Sequence, residues 1–438
     1  MKRVASFALG CKVNQVESEA IAEAFAKRGY EVVDVDEVAD VYVINTCTVT
    51  NVGDKKSRQM IRKVKRQNPK AIVVAVGCYA QTAAGEVKEM EGVNIVLGTK
   101  GRNEIVDEVE RYEESLGVVD RVTGIMQEHT FEPIAVSSLH DRTRAYLKIQ
   151  DGCSQFCSYC IIPYARGPVR SRPEADVVAE VERLVENGFR EVVLTGIHVA
   201  SYGKDLHNTN LLQVMEKIHH IEGLERIRFS SIEPNVITED FLAGLARLPK
   251  VCHHFHLSLQ SGCDRTLKEM NRKYDTARYR AAVAALRGLW SDVAVTTDII
   301  VGFPGETEED FQASMAFAKE MAFAKIHVFP YSPKRGTPAA QRKDQVDPQQ
   351  KARRAKEMGQ VSKDLAAQFL QSQMGKTVEV LAEREVAPGV WEGHTSNYIP
   401  VDFASDLPCK NQMVFVELTG FLGEKAEGKR VFEAKEQK

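Results

Sequence analysis

Short apolar runs and longer amphipathic segments alternate along the first hundred residues of the chain. The runs VASFAL, DVYVIN, AIVVAV and NIVLG predict strands, and the segments ESEAIAEAFAKRG and DKKSRQMIRKVKRQ predict helices, with a weaker helical stretch after AIVVAV. Strands separated by helical segments of roughly 10–15 residues are typical of a parallel sheet with helices on its faces. The pattern therefore predicts an α/β domain over residues 1–112.

The alternation stops over residues 113–140, which we interpret as a linker, and begins again near residue 145. Six further strands are predicted by AYLKIQ, EVVLTG, RIRFSS, HFHLSL, VTTDIIVGF and KIHVFP, with helices near 174–188, 210–220, 238–247, 277–289 and 307–320. Six βα units in succession favour a partial or full βα barrel over an open sheet. A long charged helix completes this second domain, which is predicted to span residues 141–372.

Short β runs broken by Gly, Pro and Asn replace this pattern over residues 373–438: KTVEVLAE, VWEGHTSNYIPVDF, QMVFVELTGF and KRVFEA. Such spacing predicts a small β-barrel or sandwich. The predicted fold class is α/β, with an N-terminal parallel sheet domain, a central and at least partial βα barrel, and a small C-terminal β-barrel.

Composition narrows the class of protein. The 438 residues are 43% hydrophobic and 27% charged, which excludes a disordered chain, and the net charge of −3 gives no overall attraction to nucleic acid. MKRVASFALG lacks the apolar core of a secretion signal, and no apolar run approaches the ~20 residues that a membrane span needs. We expect a cytoplasmic protein without a membrane partner, whose nine cysteines are reduced.

Three cysteines lie together in DGCSQFCSYC, directly after the first predicted barrel strand, at Cys153, Cys157 and Cys160. A structural zinc site prefers two Cys-x-x-Cys pairs, and no second pair lies nearby. A disulfide would leave one thiol over. An iron–sulfur cluster is normally held by four cysteines, so three would leave one iron open to a small molecule. Loops after barrel strands form the active face of such folds.

Three more cysteines, Cys11, Cys47 and Cys78, each follow a predicted strand of the N-terminal domain. The carboxyl ends of parallel strands share one edge of a sheet, where ligands bind, so these thiols are expected to meet. No histidine precedes His129, which excludes an imidazole ligand within that domain and a histidine-containing cobalamin loop. The pattern indicates a second iron–sulfur cluster with an open iron.

The Cys-x-x-x-Cys-x-x-Cys spacing at the end of a barrel strand resembles the radical S-adenosylmethionine superfamily. Over nearly its whole length the chain is similar to the methylthiotransferase family. The segments that resemble the family's motifs are GCKVNQVESE, TCTVT, VGCYAQ, CSYCIIPYARGPVRSR and GFPGET.

The resemblance implies two four-iron four-sulfur clusters and S-adenosylmethionine. Cys153, Cys157 and Cys160 would hold the cluster whose open iron binds the methionine part of the cofactor, which is cleaved to a 5′-deoxyadenosyl radical. Cys11, Cys47 and Cys78 would hold an auxiliary cluster that carries the sulfur to be transferred. The resemblance also implies that the strand ends and the aromatic beside the last cysteine bind the cofactor, through Tyr159, Gly196, Ser231, Glu233, Gln260, Asp298 and Tyr331.

GCKVN and GIHVASYG are most similar to the branch that acts on tRNA carrying N6-threonylcarbamoyladenosine at position 37 and places the methylthio group on C2 of the adenine. The alternatives are the branches that act on isopentenyladenosine in tRNA and on an aspartate of a ribosomal protein. A non-catalytic iron–sulfur protein that binds RNA is a further alternative. The expected partners are tRNA, a flavodoxin-like or ferredoxin-like reductant, and a cluster-assembly or sulfur-donor protein.

RNA contacts are predicted from local charge. Residues 55–70 carry eight Lys and Arg and no acidic residue, a stripe suited to phosphates in which Arg62 and Arg66 are central. The C-terminal domain resembles the RNA-binding TRAM module, although it holds eight basic against eleven acidic residues over 374–438. The predicted RNA contacts are Arg62, Arg66, Arg166, Arg170, Arg172, Asn397 and Tyr398.

Overall fold

The computed structural model describes residues 1–113, 117–134 and 143–431. The first part of the chain forms a parallel sheet in the order β2-β1-β3-β4-β5-β6. The central strand β3 is fully buried, as its sequence VYVINT predicts for a strand covered on both faces. The strands are β1 Arg3–Ala8, β2 Glu31–Val32, β3 Val41–Thr46, β4 Ile72–Gly77, β5 Ile95–Val96 and β6 Val119–Asp120.

Two long helices cover this sheet. α1 buries Val13, Ile21 and Phe25, a helical spacing that turns one face to the strands. α2 is capped by the side chain of Thr50, which accepts from the backbone N–H of Gly53 at 3.2 Å. The helices of this part are α1 Lys12–Lys27, α2 Asn51–Gln67, α3 Cys78–Thr82, α4 Ala84–Lys88 and α5 Ile105–Glu110.

The predicted linker over 113–140 joins the sheet in part, because β6 pairs with β5. The portions of this linker at 114–116 and 135–140 lie outside the described residues.

All six predicted barrel strands are present and parallel. They run β7-β9-β10 in one sheet and β11-β12-β13 in the next, and parallel bridges such as Ile232 to Leu257 connect β10 to the second sheet. No pairing closes β13 onto β7 among the described residues, so the barrel is partial. Its strands are β7 Arg144–Asp151, β8 Arg170–Ser171 (antiparallel to β7), β9 Glu191–Gly196, β10 Arg226–Phe229, β11 His254–His256, β12 Ala294–Val301 and β13 Lys325–Pro330.

Helices between these strands pack on the outside of the barrel. Apolar side chains of the helices and strands together form its large core. The start of α12 is encoded locally in the sequence. Thr307 and Asp310 form a reciprocal capping box, in which the side chain of each accepts from the backbone N–H of the other. The helices are α6 Ile162–Arg166, α7 Glu174–Glu186, α8 Leu211–His219, α9 Glu239–Leu245, α10 Asp264–Glu269, α11 Thr276–Leu289, α12 Glu308–Met321 and α13 Pro348–Gln371.

The last part of the chain is a closed barrel in the order β14-β15-β16-β18-β17. The run VWEGHTSNYIPVDF, predicted as one stretch, is split into β15 and β16 by a turn in which Tyr398 has a left-handed backbone, φ 68°. The strands are β14 Thr377–Ala387, β15 Val390–Thr395, β16 Pro400–Ala404, β17 Met413–Leu422 and β18 Lys425–Val431.

This barrel is fixed to the amino ends of the β10 and β11 strands. Arg226 and Arg228, at the start of β10, donate to the backbone carbonyls of His394 and Thr395 at 2.9 and 3.2 Å. In the described part of the chain, no helix has the length and apolarity that crossing a bilayer requires.

Candidate active site

The three N-terminal cysteines meet at the carboxyl edge of the first sheet, as predicted. Cys47 and Cys78 directly follow β3 and β4, and Cys11 follows β1 by way of Gly10. A Cβ added to Gly10, whose φ is 94°, would lie 2.5 Å from Sγ of Cys47. The chain has glycine where the first strand passes closest to a neighbouring thiol.

The surroundings of these thiols raise their affinity for protons. Burial raises the pKa of Cys47 and of Cys78, and the protein around Cys11 raises the pKa of its thiol although the residue keeps solvent access. Each thiol also feels the charge of another member of the group. Metal binding displaces the protons of the thiol ligands. Without the bound cation, three crowded thiolates would repel one another. The donor set therefore fits an iron–sulfur cluster.

The second cysteine group lies in the loop after β7. The loop is fixed by backbone hydrogen bonds from Cys153 N–H to the Gly167 carbonyl at 3.0 Å and from Cys160 N–H to the Cys157 carbonyl at 2.9 Å. Burial raises the pKa of Cys153 to about 11 and that of Cys160 to about 12, and the neighbouring Cys157 thiol adds to both shifts. Three converging, desolvated thiols again fit an iron–sulfur cluster with an open iron.

Arg272 connects this loop to the barrel strands. Its Nη1 donates to Sγ of Cys157 at 3.2 Å, and its Nη2 donates to the Glu233 carboxylate at 2.7 Å. Burial raises the pKa of Glu233, but the His198 hydrogen bond and Arg272 outweigh it, so the net shift is downward. The guanidinium thus places a positive charge beside a cluster cysteine and keeps Glu233 ionised.

A single arginine joins the two cysteine groups. Arg166 ends α6, which begins two residues after Cys160, and its Nε donates to Sγ of Cys78 at 3.2 Å. The five residues of α6 advance the chain by about 7.5 Å. The residue after Arg166, Gly167, accepts from the Cys153 N–H at 3.0 Å, so this short segment contacts both cysteine groups.

Arg166 belongs to a buried charge network that we call the junction network. Glu17 of α1 accepts from Lys148 at 2.7 Å and from Arg166 at 2.5 Å. Asp151, the last residue of β7, accepts from Lys148 at 2.6 Å. The network consists of Glu17, Arg102, Glu132, Lys148, Asp151, Arg166 and Arg170, four cations against three carboxylates. The surplus positive charge lies beside Cys78, where an anionic thiolate would be held.

The residues predicted to bind the cofactor occupy the barrel's strand ends. Gly196 packs so closely on Gln150 that an added Cβ would lie 2.8 Å from its Oε1. Gln260 has a left-handed backbone, φ 75°, and its N–H donates to the Asp298 carbonyl at 2.8 Å. Ser231 is exposed at the end of β10.

Tyr159 and Tyr331 pack in one small apolar cluster with Phe303. The Tyr331 hydroxyl is buried without a hydrogen-bond partner among the described residues, which leaves it free for a ligand. The cofactor roles of all these residues stay predictions.

A group of metal-ligand type lies inside the barrel. Donor atoms of His256, Asp298 and His327 all lie within 4.8 Å of one another. Nε2 of His256 lies 3.3 Å from the Asp298 carboxylate, and its Nδ1 lies 3.0 Å from the Thr296 hydroxyl. The Thr296 hydroxyl holds the His256 ring, and Nε2 of His256 has no hydrogen-bond partner among the described residues.

The predicted basic stripe is on the surface. Lys55, Lys56, Arg62, Lys63 and Arg66 are exposed along α2, whose opposite face is buried against the sheet. A phosphate contact at Arg62 and Arg66 stays a prediction.

The predicted RNA contacts after the cysteine loop require correction. Arg166 is fully buried in the junction network, and Arg170 and Arg172 are only 3% exposed. Arg172 pairs with Glu180, and Arg170 lies 3.6 Å from Asp151. Arginines held in buried ion pairs cannot reach phosphates at the surface, so these three are not surface contacts for RNA.

Asn397 and Tyr398 also lie away from the outer surface. The Asn397 side chain donates to the Asp292 carbonyl at 3.0 Å, and the Tyr398 ring stacks on His254 with centroids 4.8 Å apart. Arg228 lies 4.7 Å from the Tyr398 ring centroid. These residues lie where the C-terminal barrel meets the central one, and their contact with RNA stays a prediction.

Sequence reasoning missed three positioning residues. Glu17 lies within the quoted segment GCKVNQVESE and Lys334 within PYSPKRGTPA, but nothing in either segment shows a partner. Lys334 forms a buried ion pair with Asp54 across the two domains. Arg272 lies in a loop after α10, away from every strand end, so no signal in the sequence points to it.

Comparison with known proteins agrees with this geometry. The Radical SAM superfamily matches residues 147–318, and the Uncharacterized protein family UPF0004 matches residues 3–98. The chain is 43% identical to a threonylcarbamoyladenosine tRNA methylthiotransferase of Bacillus subtilis, covering 92% of this chain and 90% of that one. The corresponding Thermotoga maritima protein is 36% identical, with 93% and 92% covered.

Two further relatives mark the breadth of the similarity. A tRNA-2-methylthio-N(6)-dimethylallyladenosine synthase of Clostridium botulinum is 35% identical, over 85% of this chain and 84% of that one. The radical S-adenosylmethionine methyltransferase TsrM of Kitasatospora setae has a TM-score of 0.55 at 16% identity, covering 78% of this chain and 75% of that one. The latter likeness concerns the fold alone.

The partial barrel with its cysteine loop defines a radical S-adenosylmethionine enzyme, a class that uses a four-iron four-sulfur cluster and S-adenosylmethionine. The chain belongs to the methylthiotransferase family within that class, and it is a tRNA methylthiotransferase.

Proposed function

We propose that the chain attaches a methylthio group to C2 of N6-threonylcarbamoyladenosine at position 37 of tRNA. The observation that carries this proposal is that Arg166 donates to Sγ of Cys78 while the carbonyl of the next residue, Gly167, accepts from the Cys153 N–H. Sulfur transfer needs a sulfur-bearing site near the site of radical formation. The substrate follows the names of the B. subtilis and T. maritima relatives. Modification of isopentenyladenosine is the second candidate, since the C. botulinum relative carries that name.

Two clusters are part of the proposal, one on Cys153, Cys157 and Cys160 and one on Cys11, Cys47 and Cys78. When bound, the clusters and S-adenosylmethionine supply a radical that activates the C2–H bond and the sulfur that replaces it. The chain's own residues provide position and charge. Arg272 lies against Cys157, and Arg166 lies against Cys78.

The cofactor is proposed to lie over the strand ends, in contact with Tyr159, Gly196, Ser231, Glu233, Gln260, Asp298 and Tyr331. Glu233 suits a cationic amino group, because its pKa is lowered and it is ionised at neutral pH. The unpaired Tyr331 hydroxyl suits a polar group of the ribose or the adenine.

The proposal also assigns roles to the three domains, to the α2 stripe and to partner proteins. Residues 1–112, 141–372 and 373–438 act as an auxiliary-cluster domain, a radical barrel and a TRAM-like barrel. The α2 stripe with Arg62 and Arg66 binds tRNA phosphates. A flavodoxin-like or ferredoxin-like protein supplies electrons, and a cluster-assembly or sulfur-donor protein restores the transferred sulfur.

The proposal is tested anaerobically with protein reconstituted with iron and sulfide. Reductant, S-adenosylmethionine and tRNA carrying N6-threonylcarbamoyladenosine are added, and the nucleosides are analysed by mass spectrometry. We expect one added methylthio group on that nucleoside. Modification of the isopentenyl nucleoside alone would contradict the substrate assignment.

Two cysteine variants separate the cluster roles. Cys157→Ala is expected to abolish 5′-deoxyadenosine formation, and Cys47→Ala is expected to keep it while losing sulfur transfer. Each variant is expected to lose about half of the bound iron. Cys263→Ala is the matched control, because that thiol lies outside both groups and contacts Asp310 at 3.2 Å. Full iron content in either cluster variant would contradict its ligand assignment.

A further inference from the structure

A chamber lies between the central barrel and the C-terminal barrel. Its volume is about 450 Å³, within the range of small-ligand pockets. Lys12 lines one side, and Ser230, His254 and Tyr398 line others. Lys12 directly follows Cys11 in the chain, so the backbone of this lining residue adjoins the N-terminal cysteine group.

The chamber presents buried polar atoms that lack partners. Within the described chain, neither the Ser230 hydroxyl nor Nδ1 of His254 has a hydrogen-bond partner. The other ring nitrogen of His254 lies 3.2 Å from the Thr296 hydroxyl, which fixes the ring and leaves Nδ1 available. Leaving a buried polar group unpaired is energetically unfavourable, so these atoms indicate a polar ligand.

Lys12 is a lining cation without an ion-pair partner among the described residues, and it lies over the Tyr146 ring at 5.5 Å. The other charged lining residues have partners: Lys325 pairs with Glu424, and the Asp298 carboxylate lies 3.3 Å from Nε2 of His256.

Arg144 and Arg228 both lie near the Tyr398 ring, and each has a carboxylate partner, Glu383 or Glu191. Burial raises the pKa of Tyr398, yet Arg144 and Lys12 outweigh it and the net shift is downward. The field at the Tyr398 hydroxyl, between Lys12 and these arginines, therefore favours an anion.

We propose that this chamber binds the substituent on N6 of the target adenine and selects one that ends in a carboxylate. This inference rests on the proposed function and deepens it. Lys12 pairs with the carboxylate, while Ser230 and His254 bond the hydroxyl and ureido groups. A prenyl group would fill the same space but leave the Lys12 charge and both polar atoms unpaired, which is how a polar site rejects an apolar analogue.

Binding to anticodon stem-loops tests the charge. Three RNAs are compared, bearing threonylcarbamoyladenosine, its neutral carboxamide and isopentenyladenosine. We expect wild-type protein to bind the carboxylate RNA at least about tenfold more tightly than the carboxamide. Lys12→Met should remove this preference and Lys12→Arg should retain it. Iron content is measured in each variant, because Lys12 adjoins Cys11. A preference that survives in Lys12→Met, at full iron content, would overturn the proposal.

A second variant lies far from the cysteines in sequence. His254→Phe keeps a ring to stack on Tyr398 but removes Nδ1. Its KM for the carboxylate RNA should rise several-fold while kcat changes little, and an unchanged KM would overturn the role of His254. If wild-type protein modifies only the isopentenyl RNA, the proposed function fails and this inference with it. Normal turnover of the threonylcarbamoyl RNA without any effect of Lys12→Met overturns the chamber assignment alone.

Discussion

At the scale of single residues, buried charges rather than apolar contacts define how the catalytic junction is held. Glu17 and Arg166 are both fully buried and pair with each other, while Glu17 also pairs with Lys148 and Arg102. Removing one member leaves the others buried with one charged hydrogen bond fewer, which costs about 1.5–3 kcal/mol. The burial and pairing of these two residues are visible only in the fold, because charged residues in a sequence are ordinarily expected on the surface.

Replacement of Arg166 tests this dependence. Arg166→Met is expected to lower the free energy of unfolding by about 1.5–3 kcal/mol, because Glu17 loses a charged hydrogen bond but keeps Lys148 and Arg102. Urea unfolding of the protein without iron measures the loss apart from any effect on a cluster. Arg280→Met is the control, since the Arg280–Glu320 pair is exposed and should contribute little. Equal effects of the two substitutions would contradict the role of the junction network.

Glu191 gives the contact of the two barrels a pH dependence. Burial raises its pKa, but Arg228 and Arg226 outweigh this and lower it from 4.5 to about 2. A lowered pKa stabilises the fold above the unfolded value and is lost as the pH falls towards the folded value.

The difference in unfolding free energy between wild type and Glu191→Gln should therefore shrink by about 2 kcal/mol between about pH 5 and about pH 3. Denaturant unfolding at several pH values measures it, with the exposed Glu320→Gln as control. A difference that is constant over this range would show that Glu191 has an ordinary pKa in the folded protein.

At the scale of elements, the predicted strands are found because their apolar runs are unambiguous. AYLKIQ and EVVLTG became β7 and β9, and the helix expected over 307–320 begins at Glu308. Helix starts were less predictable. α1 begins at Lys12, before the predicted segment ESEAIAEAFAKRG. Its N-cap is Cys11, whose side chain makes no capping bond, so the sequence carries no capping signal at this position.

The cysteine groups could be predicted because each thiol follows a strand, whereas their partners could not. The contact of Arg166 with Cys78 joins residues 88 positions apart. It depends on how the barrel packs on the sheet, and no local pattern encodes that. For the same reason the stacking of Tyr398 on His254 could not be predicted from the sequence.

Two glycines at the cysteine loops supply an element-scale prediction. A Cβ at Gly152, φ 73°, would lie 1.8 Å from the Pro168 carbonyl oxygen, and one at Gly10 would lie 2.5 Å from Sγ of Cys47. Gly152→Ala and Gly10→Ala should each halve the bound iron by displacing one loop. Gly101→Ala is the matched control, with a similar φ of 79° and nothing within 4 Å. Iron loss in the control equal to that in the others would assign the effect to backbone strain alone.

At the scale of the whole molecule, the α2 stripe lies in the same domain as the N-terminal cysteine group. The double variant Arg62→Glu and Arg66→Glu should weaken tRNA binding about tenfold or more at low salt, and the difference should diminish as salt rises. Fluorescence anisotropy over a salt series measures it. Arg247→Glu is the control. That exposed residue precedes β11, on the amino-terminal side of the barrel strands, whereas the cysteine loop follows the carboxyl end of β7. Equal salt slopes for all variants would remove α2 from the RNA-binding surface.

The junction network has a consequence for turnover. Swinging the first sheet away from the barrel would bring Glu17, Asp151 and their cations apart in one movement, at the cost of several separated charges. We therefore expect the two cysteine groups to keep a fixed spacing during turnover, without opening and closing of the two domains. Accordingly, we expect the RNA, rather than the two domains, to move when its base enters and leaves the site.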